Sequence, residues 1–325
     1  MIVLAGDIGG TNARLALVEL DAVAAHIVRD AKYASRDFAG LAPVVRQFLR
    51  EGGPAPERAC YGIAGPVIDQ RCKASNLPWI VDARAMAHET GIADTRLIND
   101  FHAVGHGVQR LGTEDFVTLQ GLEPDPTGPI ALIGAGTGLG HGFLIHDGAR
   151  YRVFGSEGGH VAFAAHDMLE WGLAESLRLQ FGHVSYERVL SGAGLAHIYQ
   201  YLAEFTPESE LVHEEMEHED PAAVVSRHAL AGSDPMCVKA LDIFVSVYGR
   251  QAGHLAITVL ATGGVYVAGG IAPRIVAKLQ DGTFMKSFCD QGRMASVAER
   301  MPVHVITHPS VGLLGAAAAG FAETP

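Results

Sequence analysis

The sequence predicts an α/β protein with two domains. Its 325 residues exceed the ~100–200 residues of a usual domain, and 48% of them are hydrophobic, which is enough for a sizeable core. In the first part of the chain, short apolar stretches alternate with segments of helical periodicity. A glycine-rich turn between two apolar stretches occurs once in each half, at Gly9–Thr11 and Gly134–Thr137, which indicates two related units.

The domain junction is predicted near residues 111–128. Composition there shifts to loop residues and includes the stretch PDPTGP. We therefore expect a small α/β domain at 1–110 plus 301–325 and a large α+β domain at 111–300. No long linker rich in proline or glycine occurs, so we expect the domains to pack closely.

In the small domain, apolar stretches predict strands and helical periodicity predicts helices. Asp82 is a suitable N-cap for a helix that stops at Gly91. The strands are expected at Ile2–Ala5, Leu15–Leu20, His26–Tyr33, Cys60–Ala64 and Arg96–Ile98, and further helices at Phe38–Arg50 and Phe101–Gln109.

The rest of the chain becomes mostly helical after residue 166. Its predicted strands are Ile130–Ile133, Gly142–Asp147, Val265–Ala268 and Val303–Ile306. Its predicted helices are Met168–Gln180, Ala193–Glu204, Ala222–Ala231, Val238–Leu260 and Gly312–Ala322. The stretch Ala252–Pro273 lacks charged residues, but its glycine pairs indicate a buried helix, a turn and a strand, not a membrane span.

Charge and cysteine content exclude several classes of protein. Asp and Glu number 36 against 24 Lys and Arg, a net charge of −12, whereas a general nucleic-acid binder carries a basic excess. The four cysteines form no CxxC pair, which argues against a zinc ribbon and favours a reducing compartment. The first residues resemble no signal peptide, so we expect a cytoplasmic protein that binds neither nucleic acid nor membranes.

The first glycine-rich turn follows a buried strand and is a candidate phosphate-binding loop. Its residues are Gly6, Asp7, Ile8, Gly9, Gly10, Thr11 and Asn12. Glycines let the chain turn tightly and bring main-chain N–H groups close to an anion. An aspartate at a strand end can hold Mg²⁺ through water. An ordinary hairpin is the alternative, but an aspartate combined with GGTN favours phosphate binding.

Two further glycine segments are candidate nucleotide contacts. The second turn contains Gly134, Gly136, Thr137, Gly138 and Gly140, a density that indicates close approach of a large group to the backbone. It is no Walker loop, and Leu139 breaks the dinucleotide-binding GxGxxG spacing. The pair Gly269–Gly270 follows a buried strand, where a flat base could lie against the backbone; a plain strand–helix turn is the alternative.

Two polar clusters are candidates for substrate binding. Asn99 and Asp100 end a buried strand, where they either cap the next helix or orient and deprotonate a substrate hydroxyl. Glu157, His160 and Glu187 offer donors and acceptors that suit the hydroxyls of a sugar. Their structural alternatives stay open: Glu187 begins a predicted helix, where a carboxylate is favoured, and His160 is a core histidine.

In chain order, the segments DIGGTNAR, LINDF, GAGTGLG, SEGGH, YERVLSG and AGGI resemble those of bacterial glucokinases, from Asp7 to Ile271. The resemblance implies an actin-like (ribonuclease-H-like) two-domain sugar kinase with ATP and sugar in an interdomain cleft. It implies phosphorylation of D-glucose at the 6-hydroxyl by MgATP, which gives glucose 6-phosphate and ADP at the entry to glycolysis. A related hexose or amino-sugar kinase of the same fold is the alternative.

The resemblance also implies roles for the candidate residues. Asp100 is the base that takes the proton of the 6-hydroxyl, and Asn99, Glu157, His160 and Glu187 bind the other hydroxyls. The first and second glycine-rich turns cradle phosphates, Asp7 holds Mg²⁺ through water, and Gly269–Gly270 lie near the adenosine.

One departure concerns zinc. The residues after His160, Val161–Ala164, lack the cysteines of the zinc motif in the related repressor/kinase sugar kinases, so we expect no zinc. Three other classes of protein are disfavoured. An actin-like filament protein has no use for Asn-Asp together with Glu-Gly-Gly-His, and a sugar sensor could lose the ATP turns, which are both present here. A nicotinamide oxidoreductase needs the GxGxxG spacing, which is missing. The expected partners are glucose and ATP, and a homodimer is left open.

Overall fold

The computed structural model describes residues 1–21, 25–74 and 77–321. The strands are β1 (Ile2–Ile8), β2 (Asn12–Leu20), β3 (Ala25–Ala34), β4 (Arg58–Ile63), β5 (Val67–Ile68), β6 (Arg71–Lys73), β7 (Ile80–Asp82), β8 (Asp94–Asn99), β9 (Phe116–Gln120), β10 (Ile130–Ala135), β11 (Leu139–His146), β12 (Tyr151–Ser156), β13 (Gly264–Ala268) and β14 (Val303–Ile306). The helices are α1 (Leu41–Arg50), α2 (Ala83–Thr90), α3 (Asp100–Val108), α4 (Met168–Phe181), α5 (Gly192–Ala203), α6 (Glu210–His218), α7 (Pro221–Ala231), α8 (Pro235–Val259), α9 (Val276–Leu279), α10 (Thr283–Cys289), α11 (Ala295–Ala298) and α12 (Val311–Phe321).

The chain divides into two compact units. The first comprises Met1–Asp115, Val153–Gly155 and His308–Pro325, and the second comprises Phe116–Arg152 and Ser156–Thr307. Strand β14 pairs with β13 in the sheet of the second unit, whereas the predicted small domain of 301–325 included it.

The first unit is built around a five-stranded sheet of order β3-β2-β1-β4-β8. The β1–β2 hairpin and β3 are antiparallel, and β4 and β8 are parallel to β1. Strand β1 is buried on both faces, which explains its nearly continuous apolar sequence. Val3 and Ala5 pack against the apolar face of α12, and Leu4 and Ile8 pack on the opposite side with residues of α1.

The second unit repeats this arrangement in a six-stranded sheet of order β12-β11-β10-β13-β14-β9. Its central strand β10 forms an antiparallel hairpin with β11 and is parallel to β13, which is parallel to β14. The glycine-rich turns therefore occupy the same position in two sheets of the same plan. The two sheets thus share one plan, as the repeat of the glycine-rich turn indicated.

Helix α3, which begins at Asp100, is fixed by close packing on α12. A Cβ on Gly107 would overlap the main-chain carbonyl of Val311, and a Cβ on Gly315 would overlap that of Ala103. The two helix backbones are in direct contact because neither position carries a side chain. The packing fixes the axis of the helix on which Asp100 lies.

Most predicted elements of the described chain are confirmed within a few residues. Asp82 caps α2, and Gly91 ends it in the left-handed conformation. The periodicity did not reveal the small sheet β5-β6-β7, nor β9 within the stretch 111–128 that composition suggested as loop. The predicted last helix extended to Ala322, which lies outside the described residues.

The uncharged stretch before Pro273 consists of the end of α8, a turn and β13, as predicted. Among the residues that the structure describes, no helix combines the length and the apolar character needed to cross a membrane.

Candidate active site

The first glycine-rich turn, between β1 and β2, is held in one shape by hydrogen bonds. The Gly9 N–H donates to the Asn12 carbonyl across the turn (3.0 Å). Ser35 secures the turn from outside: its N–H donates to the Thr11 carbonyl (3.0 Å), and its hydroxyl donates to the Gly9 carbonyl (3.1 Å). A phosphate-binding loop needs such a pre-formed backbone, because disordered N–H groups would lose entropy on binding.

Asp7 lies next to the last residue of β1 and opposite Arg14 of β2. Burial raises the pKa of its carboxyl group, and the Arg14 guanidinium partly offsets this shift. Gly312, near the start of α12, faces the carboxylate, and a Cβ there would lie 3.1 Å from Oδ2. Arg14 also donates to the Pro309 carbonyl (2.6 Å) and the Ser310 hydroxyl (3.2 Å), which ties the start of α12 to the hairpin.

Asn99 ends β8 and is the N-cap of α3. Its Oδ1 accepts hydrogen bonds from the N–H groups of Phe101 (2.9 Å) and His102 (3.2 Å), and its Nδ2 donates to the Gly65 carbonyl (3.2 Å). Asp100 follows as the first helical residue, and its Oδ1 accepts from the Phe101 N–H (2.9 Å). The capping role left open by the sequence therefore belongs to Asn99.

The residues Asp7, Asn99 and Asp100 lie at the carboxyl ends of parallel strands in the first sheet. Strands β1, β4 and β8 are parallel, and the register pairs Asp7 with Gly62 and Ile63 with Asn99. Ligands in open α/β sheets bind outside the carboxyl ends of the strands. This end of the sheet therefore combines a candidate phosphate-binding turn with the Asp100 carboxylate, which is suited to proton transfer.

The second glycine-rich turn is closed by its own hydrogen bond and contacts the start of α5. The Gly136 N–H donates to the Gly138 carbonyl (2.8 Å), and the Gly136 carbonyl accepts from the Gly192 N–H (2.9 Å). Ser191 caps α5, its Oγ accepting from the Gly194 N–H (3.0 Å). Two glycine segments far apart in the sequence are therefore adjacent in the second unit.

The third glycine segment, Gly269–Gly270, adjoins the same turn. Gly269 has a φ of +84°, and a Cβ there would overlap the Ala135 carbonyl oxygen. That carbonyl accepts a hydrogen bond from the Ile271 N–H (3.2 Å). At Gly270, by contrast, a Cβ would have no described atom within 4 Å beyond its chain neighbours. Gly269 is required by packing, whereas Gly270 leaves space for a ligand.

Glu157, His160 and Glu187 lie together in the second unit. His160 Nε2 is 3.7 Å from Glu157 Oε2, and His160 Nδ1 is 3.9 Å from Glu187 Oε1. The side chains of Glu157 and His160 are 53% and 56% exposed, which argues against a core role for the histidine. Two carboxylates around one imidazole form a polar surface that can match several sugar hydroxyls.

Glu187 is anchored by the strand that leaves the second glycine-rich turn. Its Oε2 accepts from the Leu139 N–H (2.9 Å), and a Cβ on Gly138 would overlap that oxygen. A Cβ on Gly159 would in turn overlap the Leu139 carbonyl. The helix predicted to begin at Glu187 is a single 3₁₀ turn, Tyr186–Arg188, and the α-helix starts after it, at Gly192 behind the Ser191 cap.

Sequence reasoning did not single out His141, which lies behind this cluster on β11. The residue is 2% exposed, and a Cβ on Gly158 would overlap its Nδ1. Burial lowers the pKa of His141 to about 4, so the ring is neutral near pH 7. Its Nε2 has no hydrogen-bond partner among the described residues. A lone histidine in an apolar strand carries no motif that could have revealed this contact.

Two units of one plan, each with a glycine-rich turn at its central hairpin, are typical of the actin-like (ribonuclease-H-like) fold, and the polar clusters indicate a sugar kinase of that fold. The model of the glucokinase family matches residues 4–322. A glucokinase of Synechocystis sp. is 44% identical over 97% of this chain and 96% of its own length. The chain belongs to the glucokinase family, as the ordered motifs predicted.

Solved structures agree with this assignment. A glucokinase from an Antarctic psychrotroph has a TM-score of 0.82 and 33% identity, with 98% of each chain covered. A ROK-family glucokinase from Streptomyces griseus, solved with glucose and AMPPNP, has a TM-score of 0.70 and 23% identity, with 98% of this chain and 99% of that chain covered. The latter likeness shows the fold alone. The predicted actin-like fold is confirmed.

Proposed function

We propose that the protein transfers the γ-phosphoryl group of ATP to the 6-hydroxyl of D-glucose. The observation that carries the proposal is the combination of family membership over residues 4–322 with Asp100, the first residue of α3, at the same end of the parallel strands as Asp7. The products are glucose 6-phosphate and ADP.

We propose that ATP is held mainly by main-chain groups. The residues are Gly6, Asp7, Ile8, Gly9, Gly10, Thr11 and Asn12 of the first turn, Gly134, Gly136, Thr137 and Gly138 of the second, and Gly269 and Gly270. The hydrogen bonds within both turns support this role, because they pre-organise the loops before any phosphate arrives. The open space at Gly270 supports its placement near the flat adenine ring.

We propose that Asn99, Asp100, Glu157, His160 and Glu187 bind the sugar. A sugar presents donors and acceptors in fixed positions, and each one that stays unmatched on burial weakens binding. Glu187 is pre-positioned, because its Oε2 accepts a hydrogen bond from the Leu139 N–H and its Oε1 is left to bind the sugar. Asn99 is held by both ends of its amide, which makes its position equally definite.

Asp100 acts as the base in this mechanism. Its carboxylate accepts the proton of the 6-hydroxyl as the oxygen forms its bond to the γ-phosphorus, and the bond to the β-phosphate oxygen breaks to release ADP. Phosphoryl transfer depends mostly on positioning and charge stabilisation, so a correctly placed carboxylate suffices for the proton. The first turn of α3 also favours negative charge there.

Asp7 fits the requirements of Mg²⁺. The ion usually takes one or two carboxylates together with phosphate oxygens and water. Among the described residues, no cluster of three or more His, Cys, Asp or Glu side chains could hold a metal by itself. The single Asp7 carboxylate next to the candidate phosphate-binding turn matches this coordination, and Mg²⁺ would neutralise charge on the phosphates. Burial disfavours the charged Asp7 carboxylate, and a nearby cation would favour it.

The test is a coupled assay of ADP release with glucose, mannose, fructose and glucosamine, with the product identified by NMR. We expect the highest kcat/KM for glucose and phosphorylation at the 6-position. Preference for another sugar would instead identify a related hexose or amino-sugar kinase. Removal of divalent ions with EDTA should abolish turnover, and Mg²⁺ should restore it, whereas a zinc-selective chelator should have no effect.

A further inference from the structure

We propose that Gln70 is a positioning residue for Asp100: its side chain completes the hydrogen bonding of edge strand β8, from whose end Asn99 and Asp100 follow. The proposal rests on the role of Asp100 proposed above. Gln70 carries no sequence motif, and it lies in the hairpin that joins β5 to β6 in the small sheet.

The first observation is a pair of reciprocal hydrogen bonds. Among the described residues, strand β8 pairs with β4 on one side and has no neighbouring strand along its other edge. Gln70 Oε1 accepts from the Leu97 N–H (2.8 Å), and Gln70 Nε2 donates to the Leu97 carbonyl (3.3 Å). Its amide therefore binds the edge as a main-chain amide of a further strand would. Leu97 precedes Asn99 by two residues.

The second observation is the backbone of Gln70. The register of β5 and β6 leaves a two-residue loop, Asp69-Gln70, with φ of +49° and +59°. Two positive φ values are typical of a type I′ hairpin turn, in which the second position strongly favours glycine. A glutamine is unfavourable there. Its side chain compensates, because only a long amide reaches Leu97 from this turn.

The third observation is that the segment just before β5 holds the end of β8 at a second point, while the Gln70 main chain is itself fixed. The Gly65 carbonyl accepts from the Asn99 amide, and the Gln70 carbonyl accepts from the Ala83 N–H at the start of α2 (3.0 Å). Gln70 itself is an exposed residue, so it contributes little to the core. Its contacts place the strand end and do little for packing.

Small displacements of a reacting group have large kinetic effects, and about 1 Å can cost roughly 100-fold in rate. Loss of the Gln70 amide removes the two hydrogen bonds to Leu97, three residues before Asp100. We therefore expect the effect mainly in kcat, with the glucose KM changed little, because Glu157, His160 and Glu187 are unaffected and Asn99 keeps its own bonds to Gly65 and the start of α3.

The decisive variant is Gln70→Gly, because glycine suits the turn better than glutamine does. We expect kcat to fall roughly tenfold, the glucose KM to change less than about threefold, and the melting temperature to stay the same or rise. The matched control is Asp69→Gly, which relieves the same backbone conformation in the same loop but removes no bond to β8; its kcat should equal that of the wild type.

A double-mutant cycle with Asp100→Asn shows whether Gln70 acts through Asp100. In the Asp100→Asn background, Gln70→Gly should cause little further loss, because the base is already absent. Wild-type kcat in Gln70→Gly, a parallel loss of melting temperature, or an undiminished loss in the Asp100→Asn background would overturn the proposal. If Asp100→Asn itself kept wild-type turnover, the proposed role of Asp100 would fail instead.

Discussion

Asp100 and Glu187 are held in place by different kinds of contact. Asp100 follows an edge strand whose end is secured by polar side chains and loop carbonyls, above all by the cap and amide of Asn99. Glu187 lies where packing is so close that a Cβ on Gly138 would overlap the Glu187 carboxylate and a Cβ on Gly159 would overlap the Leu139 carbonyl.

The difference determines which changes each region tolerates. A side chain held by hydrogen bonds accepts an isosteric replacement, because the shape of the site stays the same. A region packed against glycine accepts no added volume, since protein interiors have few voids. A substitution at Asp100 can therefore change catalysis without changing stability, whereas a substitution around the glycine-rich turns affects both. Four predictions test this contrast, from the largest effect to the smallest.

Asp100→Asn should have the largest effect, a fall in kcat of ~10²–10⁴-fold, because the replacement keeps the shape and removes the proton acceptor. Asparagine can still accept the hydrogen bond from the Phe101 N–H, so the start of α3 should persist. Steady-state kinetics measure the loss, and calorimetric titration should show glucose binding retained. Wild-type turnover would rule out Asp100 as the base.

Glu187→Ala should weaken glucose binding by roughly 10–100-fold, the equivalent of about 1.5–3 kcal/mol for a hydrogen bond to a charged group. It also leaves the Leu139 N–H without its acceptor. Glu187→Gln is the matched variant, because its amide oxygen can keep that bond while the charge is lost. A glucose KM that rises in the alanine variant and not in the glutamine variant would indicate that the anchor to Leu139 matters more than the charge.

Gly269→Ala and Gly270→Ala form a matched pair in the packed region. The first should lower the free energy of unfolding by about 2 kcal/mol, because alanine is strained at φ +84° and its Cβ overlaps a carbonyl. The second should change stability by less than about 0.5 kcal/mol but raise the KM for ATP. Denaturant unfolding and kinetics separate the two effects. Equal stability losses would contradict the distinction between the two glycines.

His141→Gln should change the pH dependence of stability. The folded-state pKa of His141 is about 4, below its unfolded value of ~6.5, so the unfolded chain binds the proton first. Its contribution to stability is complete above pH 6.5 and is lost as the pH falls towards 4. Between pH 6 and 5, the wild type should therefore lose about 1 kcal/mol more unfolding free energy than the variant. If the unfolding free energies of the wild type and the variant fell equally with pH, His141 would have to be hydrated in the folded protein.

Local sequence signals predicted much of this molecule, because some elements are determined by their own residues. Asp82 and Gly91 bound α2 as their capping chemistry requires, and the first glycine-rich turn sits in the predicted hairpin. Glu157, His160 and Glu187 were singled out by residue type alone, whereas the contacts that group them include one between distant residues, His160 and Glu187.

Other features had no local signal, because they depend on partners distant in the sequence. The small sheet β5-β6-β7 has strands of two or three residues, too short for periodicity to indicate. Gln70 and Leu97 are 27 residues apart, and nothing in either segment alone points to the other.

The sequence by itself determined the fold class, the two glycine-rich turns and the polar residues that suit a sugar, because these depend on residue chemistry and short-range pattern. Only the tertiary structure decided that the Asn99 amide binds the Gly65 carbonyl, that His141 lies beneath Gly158, and that Gln70 holds the edge of β8. Those roles arise from contacts between distant segments, and packing creates them only when the whole chain has folded.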